Sequence, residues 1–318
     1  MAAYTYSVII PHYGIPDLLM RCLASIPERE DIQVIVVDDG SPDAGTYIRR
    51  FPELSRPDLI WIAAPHNGGA GYARNLGLGK AEGKWLVFAD ADDYFLPEAW
   101  KIFDRYAASD NDLICFRFTS ALSDDLSRKG ERNDEWDQIL ARYTCTGDDS
   151  VLRYSWRLTL SRMIRKRIVD ENGLRFEQVQ YSNDAVFSAK VGWAAGKVAA
   201  CLDPVYCLTK REGSLIWHFS LKPGEAECRF REACKEYVIT RPFLKGFKRN
   251  TIIMLHALFW NDRKGYDRCF HLARTYGFPR WAVVLRVAWN AGSFRKGLEV
   301  LGHSLALQWD ERCGGTYA

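Results

Sequence analysis

Three carboxylates stand close together directly after an apolar run. Residues 84–93 read Lys-Trp-Leu-Val-Phe-Ala-Asp-Ala-Asp-Asp, which places Asp90, Asp92 and Asp93 at the end of a predicted strand. Acids at this spacing repel one another, and a protein usually keeps them where a divalent cation or a polyhydroxyl ligand offsets their charge. The pattern therefore favours a cation site with oxygen ligands, and a cation that holds a diphosphate is the leading candidate.

The hydrophobic pattern of the first hundred residues predicts the elements that must position these acids. Apolar runs alternate with helical or loop segments, which indicates a parallel α/β sheet. The predicted strands are Ser7–Ile10, Ile32–Val37, Leu59–Ala63 and Trp85–Ala89, and the predicted helices are Pro16–Ser25 and Gly71–Ala81. Because ligands bind beyond the carboxyl ends of such strands, the polar segments that follow them are expected to converge at one edge. Those segments are 11–14, 38–41, 65–70 and 90–93.

Beyond residue 111 the pattern is less regular. It predicts a strand over Leu113–Phe118, an exposed loop over 123–137, a helix over Val179–Gly192 and two short strand-like runs within Lys197–Lys210. From Glu225 onward the pattern favours helices.

Composition excludes several classes of protein. The chain has 318 residues, 47% of them hydrophobic and 26% charged, which is typical of a globular protein, and its net charge of +3 is too small to indicate nucleic-acid binding. No apolar run approaches the roughly 18 residues of a membrane span, and the N-terminus enters a strand without a basic leader, so we expect no secretion. Nine cysteines without a CxxC pair indicate reduced thiols in the cytosol and argue against a zinc site.

Two glycine-containing segments each allow two interpretations. The turn at Asp38-Asp39-Gly-Ser could cap the following helix, or one carboxylate could accept the imide N–H of a uracil-type base. The segment 67–75, Asn-Gly-Gly-Ala-Gly-Tyr-Ala-Arg-Asn, could bind an anion at a helix N-terminus or could be a tight turn with positive φ. It fits neither GxGxxG nor GxxxxGK[ST], and Arg74 could pair with a phosphate or with the acids.

Three positions in the second half are also ambiguous. Asp184 begins an apolar helical run, where a carboxylate commonly interacts with the helix N-terminus. The stretch Lys210–Ser214 could be an exposed basic turn or a loop that grips phosphate. His218 stands between Trp217 and Phe219, a setting that favours packing over metal binding, although it is retained as a second candidate metal ligand beside Asp92.

Four motifs, in this order, resemble family-2 glycosyltransferases of the GT-A fold. The resemblance covers residues 5 to about 218 and is strongest through residue 100. The motifs are Ser7-Val-Ile-Ile-Pro-His-Tyr13, Val36-Val-Asp-Asp-Gly-Ser41, Asn67-Gly-Gly with Ala73-Arg-Asn75, and Phe88-Ala-Asp-Ala-Asp-Asp93.

The resemblance implies an α/β fold with a Rossmann-like sheet for a nucleotide-diphospho-sugar, followed by a helical C-terminal extension. The domain prediction is a catalytic domain over 1–218, with a nucleotide-binding half over 1–115 and an acceptor half over 116–218, and the extension over 219–318. Two departures are notable: Gly14 stands where the family commonly has asparagine, and Asn183 precedes the candidate base where an acid or glycine is common.

The resemblance also implies roles for individual residues. Tyr13 would lie against the base together with Pro11, Asp39 would read the base edge, Asp90 would approach the ribose, and Asp92, the second acid of the D-x-D pattern, would bind the metal. Asp184 aligns with the general base. The implied nucleotide-sugar-binding set is Pro11, Tyr13, Asp39, Asn67, Gly69, Arg74, Asp90, Ala91, Asp92 and Arg211.

The activity implied is the inverting transfer of a sugar from a nucleotide-diphosphate donor, with a UDP-sugar favoured, to a hydroxyl of a glycan or lipid-linked acceptor in cell-surface polysaccharide synthesis. Mn²⁺ or Mg²⁺ would be the cofactor. Basic and aromatic residues in 241–249 and 280–289 favour either peripheral contact with the inner face of the membrane or helical packing, in a cytoplasmic protein. The alternatives are a non-catalytic nucleotide-sugar sensor and a nucleotidylyltransferase, the latter disfavoured because a glycine-rich, basic N-terminal loop is missing.

Overall fold

The computed structural model divides into two compact units, Met1–His218 and Phe219–Ala318. The residues that the structure describes are 4–42, 44–130, 133–211, 223–243, 255, 258–277, 284, 288, 297–301, 303 and 304.

The first half of the first unit contains four parallel strands. They lie in the order β3-β2-β1-β4, and β1 pairs with both β2 and β4. Their bounds are β1 (Tyr4–His12), β2 (Ile32–Asp38), β3 (Leu59–Ala63) and β4 (Gly83–Phe88). The helices between them are α1 (Pro16–Ala24), α2 (Ala44–Arg50) with a short 3-10 helix (Pro52–Ser55), and α3 (Gly69–Leu78). The predicted parallel sheet is therefore confirmed.

The burial of these elements follows from their sequences. All seven residues of β2 are buried, as expected for a strand covered on both faces and rich in β-branched side chains. Helix α1 begins with Pro16, whose fixed φ suits a first helical turn, and buries Leu19, Cys22 and Leu23 along one stripe.

The sheet continues with four further strands in the order β4-β7-β6-β8-β5. They are β5 (Tyr94–Phe95), β6 (Leu113–Leu122), β7 (Arg162–Arg165) and β8 (Val198–Lys210). Strand β7 is antiparallel to β4 and β6, while β6 and β8 are parallel. The helices here are α4 (Ala99–Ala107), α5 (Asp134–Thr146), α6 (Ser150–Tyr154), α7 (Lys166–Glu171) and α8 (Ala185–Ala194).

Three predictions for this half are corrected. The two strand-like runs after residue 197 form the single strand β8, which passes Pro204 through a shift of register against β6. The loop predicted over 123–137 ends earlier, because α5 begins at Asp134. The helix predicted from Val179 begins at Ala185, which makes Asp184 its N-cap.

The second unit is helical in the part that the structure describes, as predicted from Glu225 onward. Its longest described helices are α9 (Pro223–Thr240) and α10 (Arg263–Thr275). A separate core forms around Phe230, Phe259 and Tyr266. Among the described residues, no helix has the length and apolar character that crossing a bilayer requires.

The strand order places a crevice beside β1. From β1 the chain moves outward to β2 and β3, and it then returns to β1's other side as β4. Such a reversal leaves the carboxyl ends of two neighbouring strands open to a ligand. The segments after β1 and β4, and the one after β2, therefore meet at this edge.

A glycine of α3 tests how tightly the first unit is packed beside this edge. A Cβ on Gly71 would lie 2.2 Å from the Glu177 carbonyl oxygen, so Gly71→Ala is expected to lower the free energy of unfolding by about 1–3 kcal/mol. Gly45, in α2, has nothing within 4 Å of such a Cβ, and Gly45→Ala is expected to raise stability by about 0.5–1 kcal/mol. Urea denaturation of both variants measures the difference, and equal effects would contradict the close approach at Gly71.

Candidate active site

The three acids after β4 converge as the sequence predicts. One carboxylate oxygen from each of Asp90, Asp92 and Asp93 lies within 4.8 Å of the others. Oxygen-only ligands at this separation suit a hard divalent cation such as Mg²⁺ or Mn²⁺. The residues present therefore fit a cation site.

Asp90 is paired with an arginine from α3. Arg74 donates one hydrogen bond of 2.6 Å to Asp90 Oδ1 and another of 2.8 Å to Asn183 Oδ1. Its guanidinium also lies 5.4 Å from the centroid of the Phe176 ring. Arg74 is buried, and its two hydrogen bonds join the acid cluster to the segment before Asp184. Of the two partners predicted for Arg74, the structure shows the acids.

Asp92 is paired with a second arginine. Arg211 Nε donates to Asp92 Oδ2 across 3.0 Å, with both side chains about a quarter exposed. Burial raises the pKa of the Asp92 carboxyl, the Asp90 charge raises it further, and Arg211 acts in the opposite direction. Arg74 and Arg211 thus already offset two of the three negative charges of the cluster before any cation binds.

The end of β8 fixes the backbone of the acid loop. The Thr209 hydroxyl donates to the Asp92 carbonyl oxygen across 2.6 Å, and the Thr209 N–H donates to Asp93 Oδ1 across 2.6 Å. The Asp90 N–H donates to the Tyr206 hydroxyl across 2.9 Å. Asp93 is 1% exposed, so it anchors the loop to β8 while Asp90 and Asp92 face outward.

Arg21 is a residue of this site that the sequence analysis missed. From α1 its guanidinium donates to the Asp92 carbonyl oxygen and, across 3.2 Å, to the Ser123 carbonyl oxygen. In the sequence it stands on the polar face of an amphipathic helix, a position that carries no signal for a site. Only the folded structure, in which Arg21 also donates to the Thr209 hydroxyl across 3.4 Å at the end of β8, reveals this role.

Asp39 caps a different helix from the one that follows it in the chain. Its two carboxylate oxygens accept the N–H groups of Gly68 and Gly69, across 2.9 and 2.7 Å, at the start of α3. The glycine segment thus already holds an anion, which is a carboxylate of the protein itself. Gly40 has φ of +76°, and a Cβ there would meet Asn67 N at 2.9 Å, so this turn requires glycine.

The residues after β1 present an open aromatic face. Tyr13 is 50% exposed at the edge beyond β1, next to half-buried Pro11. Gly14 has φ of +65°, a conformation that glycine adopts freely and asparagine tolerates. Asn67 is exposed and Ala91 is buried at the same edge.

Asp184 lies at the N-terminus of α8 with its carboxylate uncommitted. Among the residues that the structure describes, it accepts no side-chain hydrogen bond from another residue and makes no ion pair. Burial raises the pKa of this carboxyl, Arg74 and Arg157 oppose the rise, and the Asp90 charge adds to it. Ser182, two residues earlier, has φ of +57°, a strained conformation of the kind that often occurs at functional sites.

Parts of the predicted site lie outside the described residues. His218 and the segment 212–214 belong to this group, as do most of 241–249 and 280–289. The proposed roles of these residues stay predictions.

A cavity of about 720 Å³ lies at the opposite end of β4. Its wall includes Lys84, Asp112 and Arg167. Arg167 pairs with Asp112 across 3.0 Å, and Lys84 Nζ donates to the Ala107 carbonyl oxygen across 2.8 Å. Because these charged side chains already have protein partners, they do not indicate a ligand site in this cavity.

Known proteins resemble this chain over most of its length. The poly(ribitol-phosphate) beta-glucosyltransferase of Bacillus spizizenii (strain W23) is 27% identical over 272 residues, which cover 82% of this chain and 40% of that protein. The poly(ribitol-phosphate) beta-N-acetylglucosaminyltransferase TarS of Staphylococcus aureus (strain Mu50) is 25% identical over 217 residues, which cover 65% of this chain and 36% of TarS. The chain thus spans well under half the length of these two relatives.

Solved structures share the fold. The crystal structure of S. aureus TarS 1-349 in complex with UDP-GlcNAc has a TM-score of 0.66 at 18% identity and covers 99% of this chain and 93% of that one. The mannosyltransferase PcManGT of Pyrobaculum calidifontis, in complex with GDP-Man and Mn²⁺, has a TM-score of 0.52 at 16% identity and covers 96% and 86%.

The sequence model of glycosyl transferase family 2 matches residues 7–168, half of the chain. This stretch contains the four motifs and the whole acid cluster. Taken with the shared GT-A architecture, the match shows that this chain is a glycosyltransferase and belongs to glycosyl transferase family 2.

Proposed function

We propose that this glycosyltransferase is cation-dependent and inverting, and that it transfers a sugar from a UDP-sugar to a hydroxyl of a glycan or lipid-linked acceptor. The observation that carries the proposal is the convergence of Asp90, Asp92 and Asp93 at the crevice beside β1, with the uncommitted carboxylate of Asp184 near Asp90. Two features of solved neighbours support it: one is a complex with UDP-GlcNAc and another a complex with Mn²⁺.

On the donor side, Asp92 would hold the cation, neighbouring Asp90 would approach the ribose, and Asp93 would keep the loop in place. Mn²⁺ or Mg²⁺ bound there would act as a Lewis acid on the leaving diphosphate. Tyr13 would stack on the uracil ring, and Asp39 keeps carboxylate lone pairs beyond those used by Gly68 and Gly69 for the base edge.

On the acceptor side, Asp184 would take the proton of the attacking hydroxyl. The acceptor oxygen forms a bond to the anomeric carbon as the bond to the β-phosphate oxygen breaks, and that electron pair leaves with the diphosphate. A single displacement of this kind inverts the anomeric configuration. The raised pKa of Asp184 suits a base, because a carboxylate of ordinary pKa binds a proton only weakly at neutral pH.

Arg211 would exchange partners during binding. It occupies Asp92 Oδ2, a carboxylate oxygen that a cation at this cluster would compete for. Cation binding would therefore release Arg211 toward the negative charge of the donor. This exchange would keep the acid cluster neutralised in both states.

Arg211→Gln is expected to separate these two roles. Without the competing guanidinium, the Mn²⁺ concentration for half-maximal activity should fall about 2–5-fold, as expected for a partly exposed ion pair. Turnover should fall about tenfold or more, because the positive charge of one guanidinium beside the leaving group is lost. A manganese titration of donor turnover measures both values, with Arg142→Gln as a control on the exposed face of α5. A higher manganese requirement in Arg211→Gln would contradict the exchange.

The domain organisation, acceptor and location belong to the same proposal. Residues 1–218 would be the catalytic domain, with the nucleotide-binding half over 1–115 and the acceptor half over 116–218, and 219–318 a helical extension. The names of two relatives specify poly(ribitol-phosphate), a polymer of a polyol phosphate, which supports a polyhydroxyl acceptor such as those of cell-surface polysaccharide synthesis. Such an enzyme would work in the cytoplasm, with or without contact to the inner face of the membrane.

The test is donor hydrolysis without acceptor. The wild-type protein is incubated with UDP-, GDP- and dTDP-sugars, with and without Mn²⁺, and free sugar and thermal midpoint are measured. We expect cation-dependent stabilisation by one nucleotide class and slow release of sugar whose first-formed anomer is inverted, as resolved by NMR. Binding without any release would indicate a sensor, and stabilisation by no nucleotide would contradict the proposed donor.

A further inference from the structure

A buried network of hydrogen bonds joins the two turns that carry the proposed base-binding residues. His12 Nδ1 and Asp38 Oδ2 are 2.8 Å apart, and Asp38 Oδ1 accepts the Ser41 N–H across 2.8 Å. Ser41 Oγ in turn accepts the Gly14 N–H across 2.9 Å. The Ile15 N–H donates to His12 Nε2 across 3.2 Å, which closes the network.

The network determines the tautomer of His12. Because Nε2 accepts a hydrogen bond from a backbone N–H, it carries no proton, and the proton on Nδ1 is donated to Asp38. The ring is 2% exposed and Asp38 is fully buried. Tyr47 packs edge-on with ring centroids 5.6 Å apart, and Trp61 lies at 6.0 Å. A neutral imidazole in one tautomer is thus held between a carboxylate and two aromatic rings.

We propose that His12 is a positioning residue for the nucleobase of the donor. It touches no substrate itself, but its two ring nitrogens hold the turn of Tyr13 against the turn of Asp39. This inference rests on the proposed function, in which those two residues stack on the base and read its edge. Tyr13 is 50% exposed and has little packing of its own, so its place depends on the buried residues on either side of it.

The position of His12 predicts that its substitution changes the KM for the donor and leaves kcat nearly unchanged. The base lies far from the reacting carbon, so a loosened base pocket weakens donor binding equally in the ground state and the transition state. His12→Phe keeps a ring of similar size and removes both nitrogens. It should raise the Kd for UDP and the KM for the donor about tenfold, lower the preference for UDP over GDP, and leave kcat within about twofold.

A conservative variant and a matched control distinguish positioning from general stability. His12→Asn keeps an N–H near the position of Nδ1 and should recover part of the lost UDP affinity, because the bond to Asp38 can reform. Val169→Ala opens a buried site on α7, near the amino end of β4, and should lower the thermal midpoint while leaving the UDP Kd unchanged.

The experiment is calorimetric titration of UDP and GDP into the four proteins, with steady-state donor hydrolysis in parallel. A long-range ¹H–¹⁵N spectrum of the wild type adds a test that needs no variant, and it should show His12 protonated at Nδ1 only. An Nε2-protonated ring, or an unchanged UDP Kd in a folded His12→Phe, would overturn the positioning role alone. If the wild type bound no nucleoside diphosphate, the proposed function would fail first, and this inference with it.

Discussion

Replacing Asp92 by asparagine is expected to lower turnover about 10²–10³-fold and to remove most of the stabilisation that Mn²⁺ gives to the donor complex. Asp92 is an outward-facing acid whose carboxylate, among the described residues, pairs with Arg211, whereas Asp93 is buried against β8. An asparagine keeps the shape of the side chain and the backbone bonds of the loop, and it removes the charge that a hard cation requires.

Nucleotide binding without the cation should largely survive in Asp92→Asn. Tyr13 and Asp39 follow β1 and β2, and neither hydrogen-bonds to the Asp92 side chain among the described residues. Thermal shift with UDP, measured with and without Mn²⁺, separates the two contributions, and a turnover assay on the same protein gives the loss of activity. Asp134→Asn, an exposed acid at the start of α5, serves as the control. If Asp92→Asn responds to manganese as the wild type does, the cation binds at residues other than Asp92.

The parallel half of the fold could be predicted because its signals are local. Strand β2 is a continuous buried run that ends at a turn of aspartate, glycine and serine, and β3 has the bounds that its sequence predicts. Glycine and proline punctuate the elements on both sides. Each element is thus determined by the few residues around it, and the parallel order follows from the alternation of strands and helices.

The mixed half resisted prediction because its strands depend on distant partners. Strand β7 is Arg-Met-Ile-Arg, a composition that reads as exposed, yet Arg162 is fully buried. Its Nη2 donates to the carbonyl oxygens of Leu152 and Trp156, both across 2.9 Å, so two backbone carbonyls solvate part of the charge. Strand β5 has only two residues and exists by pairing with β8.

The residues of the site fall into the same two groups, since some carry a local signal in the sequence and others depend on distant partners. The acids after β4 carry their own signal, because three carboxylates in four residues are unusual anywhere. Of the two arginines that balance them, Arg74 lies 16 residues before Asp90, and the sequence already suggests its pairing with the acids. Arg211 lies 119 residues after Asp92. No pattern in the sequence predicts the pairing of Arg211 with Asp92, since it depends on how the ends of β4 and β8 meet at one edge.

The substitution Asp184→Asn is expected to cause the largest loss of activity and to change the stability of the fold as well. Turnover should fall about 10²–10⁴-fold, the range for loss of a general base, while cation-dependent binding of UDP should stay near that of the wild type. Among the described residues the Asp184 side chain makes no capping hydrogen bond and no ion pair within contact distance, so Asn at this position breaks no direct ion pair. Donor turnover and UDP titration on one preparation test both halves of this expectation.

The same substitution should stabilise the fold at neutral pH. Because the pKa of Asp184 is raised, the folded state prefers the protonated form, and this contribution to stability is fully present below the ordinary aspartate pKa and is lost as the pH rises through the raised value. At pH 7 the ionised carboxylate is therefore a cost, and an asparagine, which cannot ionise, should raise the free energy of unfolding. Urea denaturation at pH 7 measures this gain, with Asp134→Asn as the control.

The pH dependence of activity gives an independent reading of Asp184. A base works only when deprotonated, so kcat should fall as the pH drops through the raised pKa of Asp184, at a higher pH than an ordinary aspartate would give. The Asp184→Asn enzyme should lose this acid limb along with its activity, while its residual turnover stays flat in that range. A variant that is both less stable and fully active would show that Asp184 is a helix cap, and the proton of the acceptor would then need another base.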